Sequence, residues 1–448
     1  MNAQKLIYDR FIAPLQKPRT NYIGIEIEMP VVHLGGEKTD KSVTIAAVKK
    51  ATSHFGFTPR KFDDDGNCHE AVCGDTGDIF SFDCSYHNFE ISLGRVRTLH
   101  EAQARFRDYV RFINEELRQY HHTLTGMGIN PNYRVNDRSD VPSPRYRMLE
   151  GFLKKCNSWN GSFHPFPDFG TFSSASQVQL DVTRENLCET IEAFSLVEPL
   201  KAVLFANSSF PEKPELLCAR DYFWEQSPHG INPRNVGFFE PLPKSVGEIT
   251  DYLSKASIFC AERDGKYLFF YPIPFDDYLK RDSVAAEYYD GTFHTCTFAP
   301  QAEDIAYLRT YKQTDLTARG TLEYRSACTQ PLGEAMTVAA FHLGLMNRTQ
   351  ALSALLKASF LYQTNATPAQ LRKQMNRADF LSFVDADALK ALLNRVLQLC
   401  ADGLRERGYS EEIYLSPLFE RANTLTSPAR YRLGQTDVEK VIREFAEL

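Results

Sequence analysis

Tyr22-Ile23-Gly24-Ile25-Glu26-Ile27-Glu28-Met29-Pro30 alternates through its first seven residues. Ile23, Ile25 and Ile27 fall on one face, and Gly24, Glu26 and Glu28 on the other. A period of two is the signature of a β-strand. The isoleucine face must be the buried one, so two carboxylates project together from the opposite face towards water, a counter-charge or a metal ion.

The same arrangement recurs along the chain. Ile79–Leu93 reads as a strand region that carries Glu90 with Ser92, and Thr321–Arg325 carries Glu323 with Arg325. Ser173–Val182 sets Gln177, Gln179 and Asp181 against Val178, Leu180 and Val182. Any one of these strands alone is what a half-exposed sheet presents. Carboxylates gathered in one cleft repel and raise one another's pKa, and a divalent cation removes that penalty. Mg²⁺ is held by carboxylates together with substrate phosphates, so an acidic sheet face suits a nucleotide and its metal.

Outward from the strands the spacing turns helical. Thr98 and Glu101 form a capping-box pattern ahead of Leu99, Ala102, Phe106, Tyr109, Val110, Ile113 and Leu117, which recur at helical spacing, with an end expected before Gly126. Arg184–Phe205 reads as a helix interrupted near Pro199, and 208–243 as loop. Tyr267–Pro274 reads as a further strand. Beyond Pro331 the pattern is helical over Glu334–Tyr362, Pro368–Met375 and Ala386–Arg405, the last with an apolar stripe of Leu389, Leu392, Leu393, Val396 and Cys400. Strands and helices without βαβ glycine signatures imply an α+β fold with an antiparallel sheet. The expected organisation is a catalytic region over 1–330 and a mainly helical region over 331–448, packed on the same unit.

Composition narrows the function. The 448 residues are 43% hydrophobic and 24% charged, with a formal net charge of −6. No basic tract is present, which argues against nucleic acid as a partner. No apolar run reaches the ~18–20 residues a membrane span needs, and Met1–Pro18 lacks the apolar core of a secretory leader. Ten cysteines scattered singly read as reduced thiols in the cytoplasm. Oligomeric state is left open.

Five further stretches, with the first, carry a resemblance. They are Ser81-Phe82-Asp83-Cys84-Ser85-Tyr86-His87-Asn88-Phe89-Glu90-Ile91-Ser92, Ser176-Gln177-Val178-Gln179-Leu180-Asp181, Leu204-Phe205-Ala206-Asn207-Ser208-Ser209-Phe210, the set Arg220, Trp224 and Arg234, and Leu322-Glu323-Tyr324-Arg325-Ser326. In this order, with Gly24–Glu28 first, the chain resembles the glutamate–cysteine ligase family, nearest its plant-type branch. The resemblance implies a glutamine-synthetase-like fold, a curved antiparallel sheet with helices on one face. It implies an ATP- and Mg²⁺-dependent enzyme that joins L-cysteine to the γ-carboxylate of L-glutamate through γ-glutamyl phosphate, the first step of glutathione biosynthesis. Glu26, Glu28, Glu90 and Glu323 would be metal ligands, with Asp83 at an upstream acidic position. Arg325 and Arg220 would be catalytic, and Gln177, Arg234 and Arg325 would bind the cofactor or substrate.

Ala327 and Cys328 replace an acidic position that the family commonly keeps, which leaves a different acceptor amine as an alternative. A non-catalytic metal-binding protein on the same scaffold is a second. No G-x-x-x-x-G-K-[ST] loop occurs, and Gly126-Met127-Gly128 reads as a turn. Cys68, Cys73, Cys84 and His87 form a rival constellation, either a zinc site of non-standard spacing or ordinary thiols beside a polar histidine. His121 and His122, at a helix end, read as structural.

Overall fold

The structure is a computed structural model that describes residues 2–17, 21–155, 158, 159, 161 and 163–448. Ile23–His33 (β1) sits in the middle of a mixed-length antiparallel sheet with Thr58–Phe62 (β2), Cys68–Val72 (β3), Ile79–Phe82 (β4), Asn88–Val96 (β5), Ser176–Asp181 (β6), Thr314–Leu316 (β7) and Thr321–Tyr324 (β8). The strand order is β7-β8-β6-β1-β5-β4-β3-β2, and the short strand His122–Leu124 pairs with the far end of β1. The α+β class and the antiparallel sheet expected from the alternation are those observed.

Ile23, Ile25 and Ile27 share one buried core with the helices Leu99–Arg118 (α1) and Leu187–Phe205 (α2). Helices therefore cover the apolar face and leave the acidic face towards a cleft. Thr98 caps α1 by accepting from the Glu101 backbone N–H. Ile79–Leu93 is two strands, not one. Asp83 to His87 turn between them, with Cys84 at φ 58° and the Asn88 backbone N–H bonded to the Ser85 carbonyl.

The expected break at Pro199 is absent. α2 runs continuously through it, and every residue from Ala193 to Phe205 is buried, so surrounding packing offsets the one missing backbone donor. Glu334–Tyr362 divides into Thr337–Met346 and Thr349–Lys357. The 208–243 loop contains one short α-helix, Ala219–Glu225 (α3), followed by two 3₁₀ turns, Pro228–Gly230 and Pro233–Asn235. Pro368–Met375 (α4) and Ala386–Arg407 (α5) follow, and the α5 stripe Leu389, Leu392, Leu393, Val396 and Cys400 lies in the same core as the isoleucines of β1. Residues on either side of Gln330 thus contribute to one apolar interior. Gln330 itself donates to the Phe205 carbonyl at 3.0 Å and accepts from Arg421 at 2.7 Å.

Gly126 is more than a turn residue. A methyl group there would stand 2.2 Å from the Gln330 carbonyl oxygen, so only glycine lets this segment lie against the end of the β8 extension.

A second, smaller antiparallel sheet of Ser257–Arg263, Lys266–Pro274, Val284–Tyr289 and Phe293–Phe298 stands apart from the main one. Phe259, Cys260 and Phe269 from it join Phe152, Phe172, Phe210 and Phe223 in a separate aromatic core. No helix among the described residues is long and apolar enough to cross a membrane.

Candidate active site

Register decides which side chains meet. Glu28 pairs with Glu90 across β1 and β5, Glu26 with Ser92 on β5 and with Gln177 on β6, and Gly24 with Gln179. Gln179 also pairs with Glu323 on β8, and Glu323 with Asp315 on β7. Directly opposed residues share a face, so a single polar field runs across five strands. Gly24 leaves room in that field: a methyl group on it would stand 3.1 Å from the Gln179 Cβ.

Within the field the carboxylates form two groups. Glu28, Asp83 and Glu90 can each offer an oxygen within 4.8 Å of the others, and they are the one such cluster of three or more metal-ligating side chains among the described residues. Glu28 accepts from the Ala175 backbone N–H at 2.7 Å and from Gln177 Nε2 at 3.0 Å. Glu90 accepts from Ser92 Oγ at 2.6 Å. Glu26 and Glu323 form the second group, joined by Gln179 Nε2, which donates to Glu26 at 2.8 Å and to Glu323 at 2.6 Å. Arg319 donates to Gln179 Oε1 at 2.5 Å and so fixes which end of the amide faces the acids. Arg325 pairs with Glu323 at 2.5 Å.

Glu28 is buried on this face and Glu26, Asp83 and Glu90 are partly buried, and their surroundings raise the pKa of each. Burial, followed by the charges of Glu323 and Glu90, pushes Glu26 up to about 8. Burial and Asp83 push Glu28 up to about 8, and burial with Asp83 and Glu28 does the same to Glu90. Asp83 is raised by burial against the pull of Arg145 and Arg325. Several like charges at this separation cannot all ionise without a cation. A hard divalent ion with oxygen ligands fits the donor set of Glu28, Asp83 and Glu90.

Cations ring the field. Arg220 is buried, donates to the Ala327 carbonyl at 3.2 Å, and supplies the strongest attraction on Glu28. Its Nε is buried without a protein partner. Arg145 is exposed, lies 5.9 Å from the Tyr146 ring centroid, and is the strongest attraction on Asp83. Arg325 is 5.9 Å from the centre of the Tyr311 ring, which stacks on Trp224 at 4.5 Å. Cys218 and Cys328 touch beneath Arg220, with their sulfur atoms 3.5 Å apart.

The residues named from sequence divide accordingly. Glu28 and Glu90 meet in the triad, while Glu26, Glu323 and Arg325 meet one step along the sheet. Gln177 is occupied in holding Glu28, although its Oε1 is buried without a partner. Arg234 is not brought to the acidic field. Its guanidinium lies 4.7 Å over the Tyr252 ring, beside Lys312, whose ammonium donates to the Val236 and Phe238 carbonyls. The loop that carries Arg234 runs through a short 3₁₀ segment, which sets its side chain over Tyr252 and away from Glu28 and Glu90. Asp83 enters as a full member of the triad because the 83–87 turn folds it back over Glu90. Arg145 had no sequence signal beyond its charge. Cys68, Cys73, Cys84 and His87 do not gather: Cys68 donates to the Glu70 carbonyl and His87 bonds Asp137.

Residues 22–433 match the model of glutamate–cysteine ligase family 2. Chloroplastic glutamate–cysteine ligase of Brassica juncea is 26% identical over 355 residues, which cover 76% of this chain and 64% of that protein. The Arabidopsis thaliana protein of the same name is also 26% identical, over 76% of this chain and 63% of its own length. The chain thus spans just under two thirds of the length of these curated relatives. A crystal structure of glutamate–cysteine ligase from Francisella tularensis in complex with AMP superposes with a TM-score of 0.50 at 10% identity, covering 96% of this chain and 89% of that one, a likeness of fold. With the family model matched from the first residues of β1 to beyond α5, the chain belongs to glutamate–cysteine ligase family 2.

Proposed function

We propose that this protein ligates L-cysteine to the γ-carboxylate of L-glutamate at the expense of ATP. The observation that carries the reading is the acidic sheet field with Glu28, Asp83 and Glu90 at its centre and Arg145, Arg220 and Arg325 around it. Family membership supplies the substrate class.

A carboxylate is a poor acyl donor to an amine at neutral pH, so its oxygen must first leave as phosphate. One γ-carboxylate oxygen of glutamate attacks the γ-phosphorus of ATP, the bond to the β,γ-bridging oxygen breaks, and ADP departs. The cysteine amine then attacks the acyl carbon, loses a proton, and expels phosphate. Two anions have to meet in line, so positioning and charge neutralisation carry most of the catalysis. Glu28, Asp83 and Glu90 would hold Mg²⁺, with Glu26 and Glu323 next to it. When bound there, Mg²⁺ neutralises phosphate charge and acts as a Lewis acid on the transferring group. Arg325, aimed by Glu323, and Arg145 offer forked donors to phosphate oxygens. Arg220, with Nε unpartnered, faces the field as the donor for a substrate carboxylate.

A second reading keeps the activation of glutamate and changes the amine. It is favoured by Cys328, which, with Cys218, puts thiols beside Arg220 where the family commonly has an acidic group. The free state of all nine described cysteines agrees with a reducing compartment, and we place the protein in the cytoplasm.

ADP release measured with Mg²⁺, ATP and glutamate, with amines added one at a time, separates the readings. Stimulation by cysteine with formation of a γ-glutamyl dipeptide supports the first. Stimulation by another amine alone supports the second. Absence of turnover with every amine removes both.

A further inference from the structure

α4 lies in the helical region, more than 40 residues past the last strand of the main sheet, yet one of its faces reaches the back of the site. Arg372 is 2% exposed and spends its whole guanidinium on three segments. Nε and Nη2 fork onto Asp221 at 2.7 and 3.0 Å. Nη1 donates to the Glu198 carboxylate at 2.8 Å, and Nη2 also reaches the Ser326 carbonyl at 3.3 Å. Asn376, one turn further on, closes both backbone groups of one residue. It accepts from the Cys218 N–H at 2.5 Å and donates to the Cys218 carbonyl at 2.9 Å. The two side chains therefore fix Cys218 and Asp221, which bracket Arg220 at the start of α3, and Arg372 fixes Ser326 immediately after Arg325.

With Cys218 and Asp221 both held, the backbone of this four-residue stretch, from which Arg220 projects, is fixed at both ends. Arg220 points from that stretch to the Ala327 carbonyl and Glu28. A buried ion pair is weak evidence for stability, because desolvation offsets much of its attraction. Its placement behind two arginines of the site gives it a different use. We propose that Arg372 and Asn376 are positioning residues, which aim Arg220 at the substrate anion. The part that concerns turnover rests on the ligase reading above; the clamp itself does not. Lysine cannot replace Arg372, since a single ammonium cannot fork onto Asp221 and span Glu198 and Ser326 together.

Two measurements on the full chain decide it. The first is a double-mutant cycle in ADP release, with KM for glutamate and for ATP, on Arg372→Lys, Arg220→Lys and the pair. Arg372→Lys is expected to lower kcat/KM by about 10- to 100-fold, as misplacement near 1 Å does, and to raise the KM of the same substrate that Arg220→Lys raises. If Arg372 acts through Arg220, the pair will be no worse than about twofold below Arg220→Lys alone. Losses that multiply, or a KM change in the other substrate, overturn the proposal. The second is amide hydrogen exchange over 217–226, which needs no turnover. Asn376→Ala, whose side-chain bonds go to Cys218 alone, is expected to speed exchange there by about 10-fold or more, in line with local opening, while thermal unfolding moves little. Unchanged exchange in both Asn376→Ala and Arg372→Lys overturns the clamp. Should the wild-type chain turn over no amine, the ligase reading fails, and the exchange result alone then keeps or removes the clamp.

Discussion

Glu28 and Glu90 stand directly opposite each other on adjacent antiparallel strands, two carboxylates where cross-strand pairing ordinarily disfavours like charges. Both are pushed up to about 8 from an ordinary value of 4.5. The folded chain without metal therefore binds more protons than the unfolded chain between these values. Stability that is present below about 4.5 is lost as pH rises through 8. In EDTA the melting temperature is expected to fall steadily between pH 5 and 8.5. Mg²⁺ should raise it most at the alkaline end and flatten the curve. A melting temperature in EDTA that rises over this range would contradict the charge arrangement.

Neutralising one member of the triad should separate stability from activity. Glu90→Gln removes repulsion, so the variant is expected to melt at or above the wild-type temperature in EDTA above pH 7. It should also lose Mg²⁺-induced stabilisation and at least about 100-fold in kcat, in the range that removal of one transition-state electrostatic partner costs. Thermal scans with and without Mg²⁺, alongside ADP release, check both halves.

Gln179 binds two acids through one nitrogen, and its orientation is set by Arg319. Gln179→Glu would place a third carboxylate between Glu26 and Glu323. The expected outcome is a rise of about 10-fold or more in the Mg²⁺ concentration needed for half-maximal turnover, since opposed like charges must be neutralised first. Titration of activity with Mg²⁺ reads this directly, and an unchanged midpoint would show that the bridge is dispensable.

Glu323→Gln tests the neighbouring pair. It would free Arg325 from its 2.5 Å partner and is expected to lower kcat by about 10²-fold or more with the fold retained, because the guanidinium loses the group that aims it. Near-normal turnover with an unchanged circular dichroism spectrum would remove Glu323 and Arg325 from the reaction.

Much of this site was legible because strands have a strict period. The isoleucines of β1 determined which way Glu26 and Glu28 point, and the same alternation placed Glu90, Gln177 and Glu323. Register was not legible, and register is what sorts Glu28 with Glu90 and Glu26 with Glu323. Asp83 depended on a turn with a left-handed residue at Cys84, which no alternation encodes. The place of Arg234 over Tyr252 was not legible either, because a loop's direction follows from packing and not from spacing. Arg372 gives no local sign at all. In α4 it reads as one more helix cation, and its role arises only when Asp221, Glu198 and Ser326 converge from three distant segments. Pro199 marks the opposite case, where tertiary burial overrode a strong local signal.

The central claim is that the γ-carboxylate of glutamate is activated by phosphoryl transfer. Glutamate labelled with ¹⁸O in its γ-carboxylate, incubated with the protein, ATP, Mg²⁺ and cysteine, reports on it without ambiguity. Transfer of one labelled oxygen into inorganic phosphate for each γ-glutamylcysteine formed, with one ADP released, is the expected result. Dipeptide formed with unlabelled phosphate, or with AMP and pyrophosphate as products, would contradict the account.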